Sequence, residues 1–264
     1  MLYIEKHECP SQILADINRI KESDEWKSIP APENQAPTET AHNVTTARLR
    51  GCFDCLDKSS VREALLAEQH YLCAYCMLPI ENVPLHTSIE HWIPLSKSKE
   101  HTLDYQNFLA TCKGGSDIRG LTPSQRLICC DANKGDDVRM TLDPRNKEML
   151  SGITYSRDGI VEYRETAPFD RQSIQNDIDN VLRLNGRLDQ DRFCTQDTST
   201  QLVKQRKDVY QNTEQICLDC LDMGTLTPEW LNTRIQECLN QAHRERFAGV
   251  AIFVYETYLK ILQK

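Results

Sequence analysis

Apolar side chains recur at helical spacing around Ile13, Ile17 and Ile20, which predicts a short amphipathic helix near the start of the chain. The stretch IPAPENQAPTET, residues 29–40, has three prolines and almost no apolar side chains, so it reads as an extended connector. From Ser60 to Tyr71 a helix is predicted, with Ser60 and Glu63 as a capping box and Val61, Ala64 and Leu65 as its apolar face. Residues 72–143 are irregular, with many turn residues and short apolar runs. One of these, SIEHWIPLS at 88–96, reads as a short strand ending at Pro94. GITYSRDGIVEYRE, residues 152–165, carries a hairpin signal, with Asp158-Gly159 between two alternating runs.

After Pro168 the pattern turns helical. Asp170 can cap a helix whose face is Ile174, Ile178, Val181 and Leu182. Thr227-Pro228 supplies an N-cap and first helical position ahead of Leu231, Ile235, Cys238 and Leu239, and a last helix runs from about His243 to Leu262. The chain thus divides into an N-terminal helix and connector (1–59), an irregular centre (60–147), and a hairpin followed by helices (148–264). The sequence contains no internal repeat and no low-complexity tract.

At 264 residues, 39% hydrophobic and 27% charged, the chain has ample material for a core. No apolar run approaches the roughly 20 residues of a membrane span. The longest, Phe247 to Tyr255, reads as a buried helix, and MLYIEKHECP lacks the pattern of a secretory signal, so a cytoplasmic location is expected. The net charge of −8 argues against unaided coating of nucleic acid. Charge is uneven, however: between Glu90 and Lys147 nine Lys and Arg face eight Asp and Glu, so the centre is the least acidic part.

Twelve cysteines in a cytosolic chain point to metal ligation or plain packing rather than to disulfides. Cys73 and Cys76 form a Cys-x2-Cys, which on a tight turn aims two thiolates at one zinc ion, with a second pair from elsewhere completing a tetrahedron. Within SIEHWIPLS, Glu90 and His91 pose a separate problem, because a carboxylate and an imidazole are costly to bury without partners. These motifs stand in a specific order: CAYC, EH, DYQNFLATC, CCDANKGD.

That ordered set resembles the HNH, or ββα-metal, nuclease family in its four-cysteine zinc version. The resemblance implies an α+β, mostly α-helical chain, with a zinc-stabilised ββα-metal core and a helical C-terminal region. Cys73, Cys76, Cys112 and Cys130 would hold structural zinc. His91 falls on the general base and Glu90 on the acidic metal ligand; Asn107 falls on the central asparagine. Asp131 stands where the family has Asn or His as second metal ligand, followed by Lys134-Gly135, and Asn133 is its rival. Seventeen residues separate Cys112 from Cys130, where the family usually has two, so a Gly- and Ser-containing loop is inserted. The HWIPLS, TCKGG and LRLNGRL segments are similar to PtuB-type HNH proteins of anti-phage Septu and retron systems. Such a protein would work beside a PtuA-like ABC-type ATPase and, in retron systems, a reverse transcriptase with its DNA.

The implied chemistry is hydrolysis of phosphodiester bonds in nucleic acid, with DNA favoured over RNA. Neutral His91 can take a proton from water, and Glu90 with Asp131 or Asn133 offers the oxygen ligands that Mg²⁺ or Mn²⁺ prefers. Asn107 is expected to cross-link the loop that aims His91. Zinc would replace a core that so irregular a segment cannot build. The competing class is a non-catalytic, zinc-stabilised interaction module, which has no use for Glu90 and His91.

Other assignments stay open at the level of sequence. Cys52 and Cys55 lie seventeen residues before CAYC, a spacing that allows a zinc ribbon over 52–76, and Cys129 can exchange roles with Cys130. Cys217 and Cys220 read as packing residues on a helix, and Cys9, Cys194 and Cys238 as core thiols. His70, His86 and His101 read as peripheral. Lys97, Lys99, Lys113, Arg119 and Arg126 are candidates for phosphate contacts.

Overall fold

The computed structural model describes residues 1–32, 39–164 and 168–263. The first helix, α1 (Ser11–Glu22), buries Ile13, Ile17 and Ile20 as their spacing predicts, and Ser23 caps the short α2 (Asp24–Ser28). Of the expected connector, residues 33–38 lie outside the described residues, and Glu39 already opens a sixteen-residue helix, α3 (Glu39–Asp54). Its inward side is Thr45, Leu49, Cys52 and Phe53, with Leu56 just beyond it. The next helix, α4 (Lys58–Glu68), begins two residues before the predicted start. Its cap is Asp57, whose Oδ1 accepts from the amides of Ser59 (3.0 Å) and Ser60 (3.4 Å), so the Ser60 capping box does not form. It also ends early, because His70 and Tyr71 turn into the left-handed region.

Two strands then frame the centre. Strand β1 (Thr87–His91) pairs antiparallel with β2 (Phe108–Cys112), in a register that sets Thr87 opposite Cys112 and His91 opposite Phe108. The four-residue α5 (Asp131–Lys134) follows, then α6 (Lys147–Leu150). The hairpin is β3 (Ile153–Tyr155) against β4 (Val161–Tyr163), as Asp158-Gly159 predicts.

Beyond it α7 (Arg171–Asn176) is capped by Asp170, but the ladder widens into a π turn over Asp177–Val181. There the Asp177 carboxylate accepts from the backbone amides of Thr141 (2.6 Å) and Leu142 (2.8 Å). A small pair, β5 (Arg187–Leu188) with β6 (Cys194–Gln196), leads to α8 (Leu202–Asp222), α9 (Pro228–Leu239) and α10 (Ala248–Leu262). Thr227 caps α9 as its sequence implies. The last helix starts five residues later than expected, because Phe247 sits at φ 55° and breaks the ladder before it.

The chain is therefore α+β, with ten α-helices and three two-stranded antiparallel sheets among the described residues. A continuous apolar core runs from Ile4 through α1, α3 and α4 to the strand pair, the hairpin and Val250. A smaller cluster, around Cys217, Leu231, Ile235 and Tyr255, belongs to α8, α9 and α10. No helix among the described residues is long and apolar enough to cross a membrane. The last helix reaches the centre through Gly249, where a Cβ would stand 2.8 Å from the Met77 sulfur. Among the thiols expected in the core, Cys217 is buried, whereas Cys9, Cys194 and Cys238 are half-buried at element edges.

Candidate functional site

One end of the β1–β2 ribbon carries thiols. Leu72 and Pro79 bridge to close a tight turn in which the Cys73 amide donates to Leu78 O (2.9 Å) and the Met77 amide to Cys73 O (3.1 Å). Met77 takes φ 64° to make that turn. The Ala74 amide docks the turn onto β2 at Ala110 O (3.1 Å). Cys112 ends β2, and its amide donates to Cys73 Sγ (3.3 Å). Cys130 precedes α5 at φ 55° and ψ −145°, a strained setting for a residue with a Cβ, held by its amide donating to Leu182 O (2.8 Å).

The outcome is four buried sulfurs, of Cys73, Cys76, Cys112 and Cys130, all within 4.8 Å of one another, with Cys76 and Cys112 3.6 Å apart. Four thiolates at the usual Zn–S length of about 2.3 Å stand about 3.8 Å apart, so this cluster fits a structural zinc ion. Burial pushes the Cys76 thiol well above its ordinary range, and a metal that takes the place of thiol protons relieves that cost.

The open alternatives resolve on geometry. Cys129 Sγ turns to Gly114 O and Thr200 Oγ1, both 3.6 Å away, which leaves Cys130 as the fourth member of the cluster. Gly114 makes that approach possible, since at φ 58° a Cβ there would meet Cys129 O at 2.0 Å. Cys52 packs in the core and Cys55 is exposed just past the end of α3, so neither joins the four sulfurs.

The other end of the ribbon carries charge. Glu90 and His91 are both buried, at 6% and 5% exposure. The His91 ring lies edge-on between Phe53 and Phe108, with centroids 4.4 and 5.0 Å away. Its Nε2 is 3.0 Å from Thr102 O. A carbonyl only accepts, so Nε2 carries the ring proton and Nδ1 holds the free lone pair. Burial keeps that imidazole neutral, with its pKa pulled down to about 3.

Beside it, Glu90 Oε1 accepts from the Lys134 ammonium and, at 3.4 Å, from the Tyr75 hydroxyl. Lys134 also donates to His91 O (3.1 Å), which ties α5 to the end of β1. Burial, together with the neighbouring Asp131 carboxylate, pushes the Glu90 carboxyl well above the usual range, and Lys134 opposes the shift. Were both carboxylates ionised, Glu90 and the half-buried Asp131 would outweigh the single Lys134 ammonium, so Glu90 favours its protonated form. Glu90, His91, Asp131 and Lys134 line a cleft of about 50 Å³, which Arg50 of α3 and Asp136 also face.

Asn107 lies beneath this site. Its side chain accepts from the Ile93 amide (2.8 Å) and donates to Ile93 O (2.9 Å) and His101 O (3.0 Å), which cross-links the loop after His91. Asn133 is turned elsewhere: its amide donates to Asn180 O and Val181 O, each 2.9 Å away, and clamps α5 to the π turn. Among the lysines and arginines near the motif, two have structural duties. Lys99 donates to Trp26 O (2.7 Å) and Ile29 O (2.5 Å), and Arg126 to Ser116 O (2.6 Å) and Ile118 O (2.7 Å). Lys113 reaches Ser88 Oγ at 2.9 Å. His70, His86 and His101 pair with Gln241 O, Asp117 and Ser98, away from both clusters.

Two members of the charged cluster were not singled out by motif. Tyr75 lies within CAYC and reads as a spacer between thiols. Arg50 is forty residues before Glu90, and no spacing rule links them. No protein-family model matches the chain, and no curated protein matches it.

Proposed function

We propose that the chain is an HNH-type endonuclease that hydrolyses phosphodiester bonds, DNA being the favoured substrate. The observation that carries this reading is the pairing of a neutral, buried His91, its Nδ1 lone pair unprotonated, with the Glu90–Asp131 pair on the adjoining β1 and α5. Nδ1 takes the proton of a water, while Nε2–H stays on Thr102 O and fixes the tautomer. Asn107 holds the loop that carries Thr102's neighbours, so it positions the ring without touching substrate.

Mg²⁺ or Mn²⁺, held by Glu90 and Asp131, would supply neutralisation of the phosphate and of the leaving oxygen. Asp131 suits that role better than Asn133, whose amide is spent on the π turn. The PtuB-type setting, with an ABC-type ATPase and a retron reverse transcriptase as partners, belongs to the same proposal. Ile216 and Leu221 of α8, with Met223 just past its end, are exposed apolar side chains that such docking could cover.

The test incubates the zinc-loaded protein, alone and with the ATPase encoded beside it, with plasmid DNA and with RNA in Mg²⁺ or Mn²⁺. His91→Ala should keep zinc and lose about 10²–10⁴-fold in cleavage. Glu90→Ala should fail through weakened divalent-metal binding and recover partly in excess Mn²⁺. A His91→Ala protein that cuts at the parental rate sinks the mechanism and leaves the zinc-stabilised interaction module.

A further inference from the structure

Part of the cleft that Glu90 and Asp131 line belongs to α3, outside the motif. Arg50 lines the cleft from that helix, close enough that its charge disfavours a proton on His91. Among the described residues its one side-chain partner is Asp136, at 3.3 Å, and that carboxylate is 81% exposed. An exposed pair of this kind contributes little and exchanges readily. It is also one of two such pairs, because His42 of α3 stands 3.7 Å from Asp137. The segment 135–137 is thus tied to α3 by two exposed contacts, while Ser96 Oγ of the loop after β1 donates to Asp136 O at 3.1 Å and the Gly135 amide to Asp131 O at 3.2 Å. Its carboxylates stand where an incoming polyanion would be repelled.

We propose that Arg50 is a phosphate-binding residue of the cleft, masked by Asp136, whose carboxylate a backbone phosphate of the substrate displaces. The proposal rests on the nuclease reading for the identity of the ligand, but its geometry does not depend on cleavage. A guanidinium suits the exchange, because its planar fork binds a phosphate as it binds a carboxylate, in a bidentate manner. Release of Asp136 frees segment 135–137 from one of its two ion pairs with α3, and this widens a cleft that is too narrow at about 50 Å³ for a phosphodiester. Arg50 and His91 then lie on the same phosphate.

The test measures binding of a short labelled DNA duplex in Mg²⁺ by fluorescence anisotropy, using the zinc-loaded full chain with His91→Ala so that nothing is cut. Adding Arg50→Ala should weaken binding by about tenfold to a hundredfold and lower the salt slope by about one phosphate contact. Arg50→Lys should recover only part of that loss. Asp136→Asn should tighten binding by about twofold to fivefold, and the gain should shrink when Arg50 is Ala. Equal binding with and without Arg50 overturns the proposal, and so does a chain that binds no duplex. An Asp136→Asn gain independent of Arg50 overturns the masking. Cleavage by the parent chain that ignores Arg50 would overturn this inference and leave the nuclease reading intact. Arg50-dependent binding without cleavage would do the reverse.

Discussion

The two ends of the β1–β2 ribbon bury opposite kinds of chemistry. At the Cys112 end, four identical ligands converge from a turn, a strand end and a helix start, and one metal ion would satisfy them all. At the His91 end, Glu90, Asp131, Lys134 and an imidazole kept neutral share a small space, and Glu90 is pushed towards its protonated form. The first arrangement would repay its burial through metal–thiolate bonds. The second gathers titratable groups whose proton affinities are shifted by burial into one cleft, a pattern found where buried charge serves a reaction or a ligand. The link between them is α5, only four residues long, with Cys130 just before it and Asp131 and Lys134 on it. Anything that loosens the thiol end should therefore disturb the charged end, and much less so in the other direction.

The largest effect should come from breaking the thiol end. Cys73→Ser is expected to lose stoichiometric zinc, measured by elemental analysis, and to lower the unfolding midpoint by about 10 °C or more. Cys52→Ser should keep its zinc, because Cys52 packs in the core away from the cluster. A Cys73→Ser protein that retains one zinc per chain would remove the distinction between the two ends.

The thiol end was also the more legible in sequence. A Cys-x2-Cys with two later cysteines constrains ligand chemistry whatever the loops between them do, so the seventeen-residue separation of Cys112 from Cys130 did not hide it. At the charged end, the motif brought Glu90, His91 and Asp131 into view, but not what surrounds them. Arg50 arrives on α3, and α3 itself was missed: its inward residues Thr45, Leu49, Cys52 and Phe53 follow helical spacing, yet Thr45 reads as polar and the preceding prolines suggest a connector. The cap of α4 was misread for a local reason. Asp57 sits three residues upstream of a plausible Ser60 box and reaches two amides from there. The π turn was invisible because Ile174, Ile178 and Leu182 keep a spacing that an α-helix would share.

Within the charged end, Lys134 should matter most. Lys134→Met leaves Glu90 facing Asp131 with no cation between them, and removal of one partner of a buried pair costs about 3–5 kcal/mol. The double variant Glu90→Gln with Lys134→Met removes the orphaned charge and should recover most of that loss in denaturant unfolding at constant zinc. A single Lys134→Met variant as stable as the parent would mean that the cluster carries no uncompensated charge.

A smaller effect separates His91 from its charged neighbours through pH. Its folded pKa, about 3, lies below the unfolded value of about 6.5, so the unfolded chain binds the proton first as pH falls. Stability from this group is complete above pH ~6.5 and is lost towards pH ~3, by about 2 kcal/mol between pH ~6.5 and pH ~5. His91→Gln should flatten that part of the stability curve relative to the parent. Parallel curves for the two proteins would show that the imidazole titrates alike in the folded and unfolded chains.

The smallest effect is also the sharpest test of which α5 residue faces the cleft. Asn133 makes two hydrogen bonds to carbonyls of the π turn, so Asn133→Ala should cost about 1–2 kcal/mol at the net worth of such bonds. Zinc should remain, because Cys130 keeps its own amide bond to Leu182 O. Divalent-metal affinity, read by calorimetry with Mn²⁺, should change little, whereas Asp131→Ala should lose most of it. The two residues sit two positions apart on a single helical turn, and so point away from each other. A variant series in which Asn133→Ala abolishes Mn²⁺ binding and Asp131→Ala spares it would exchange their roles and place the metal-binding face of α5 on the side of the π turn.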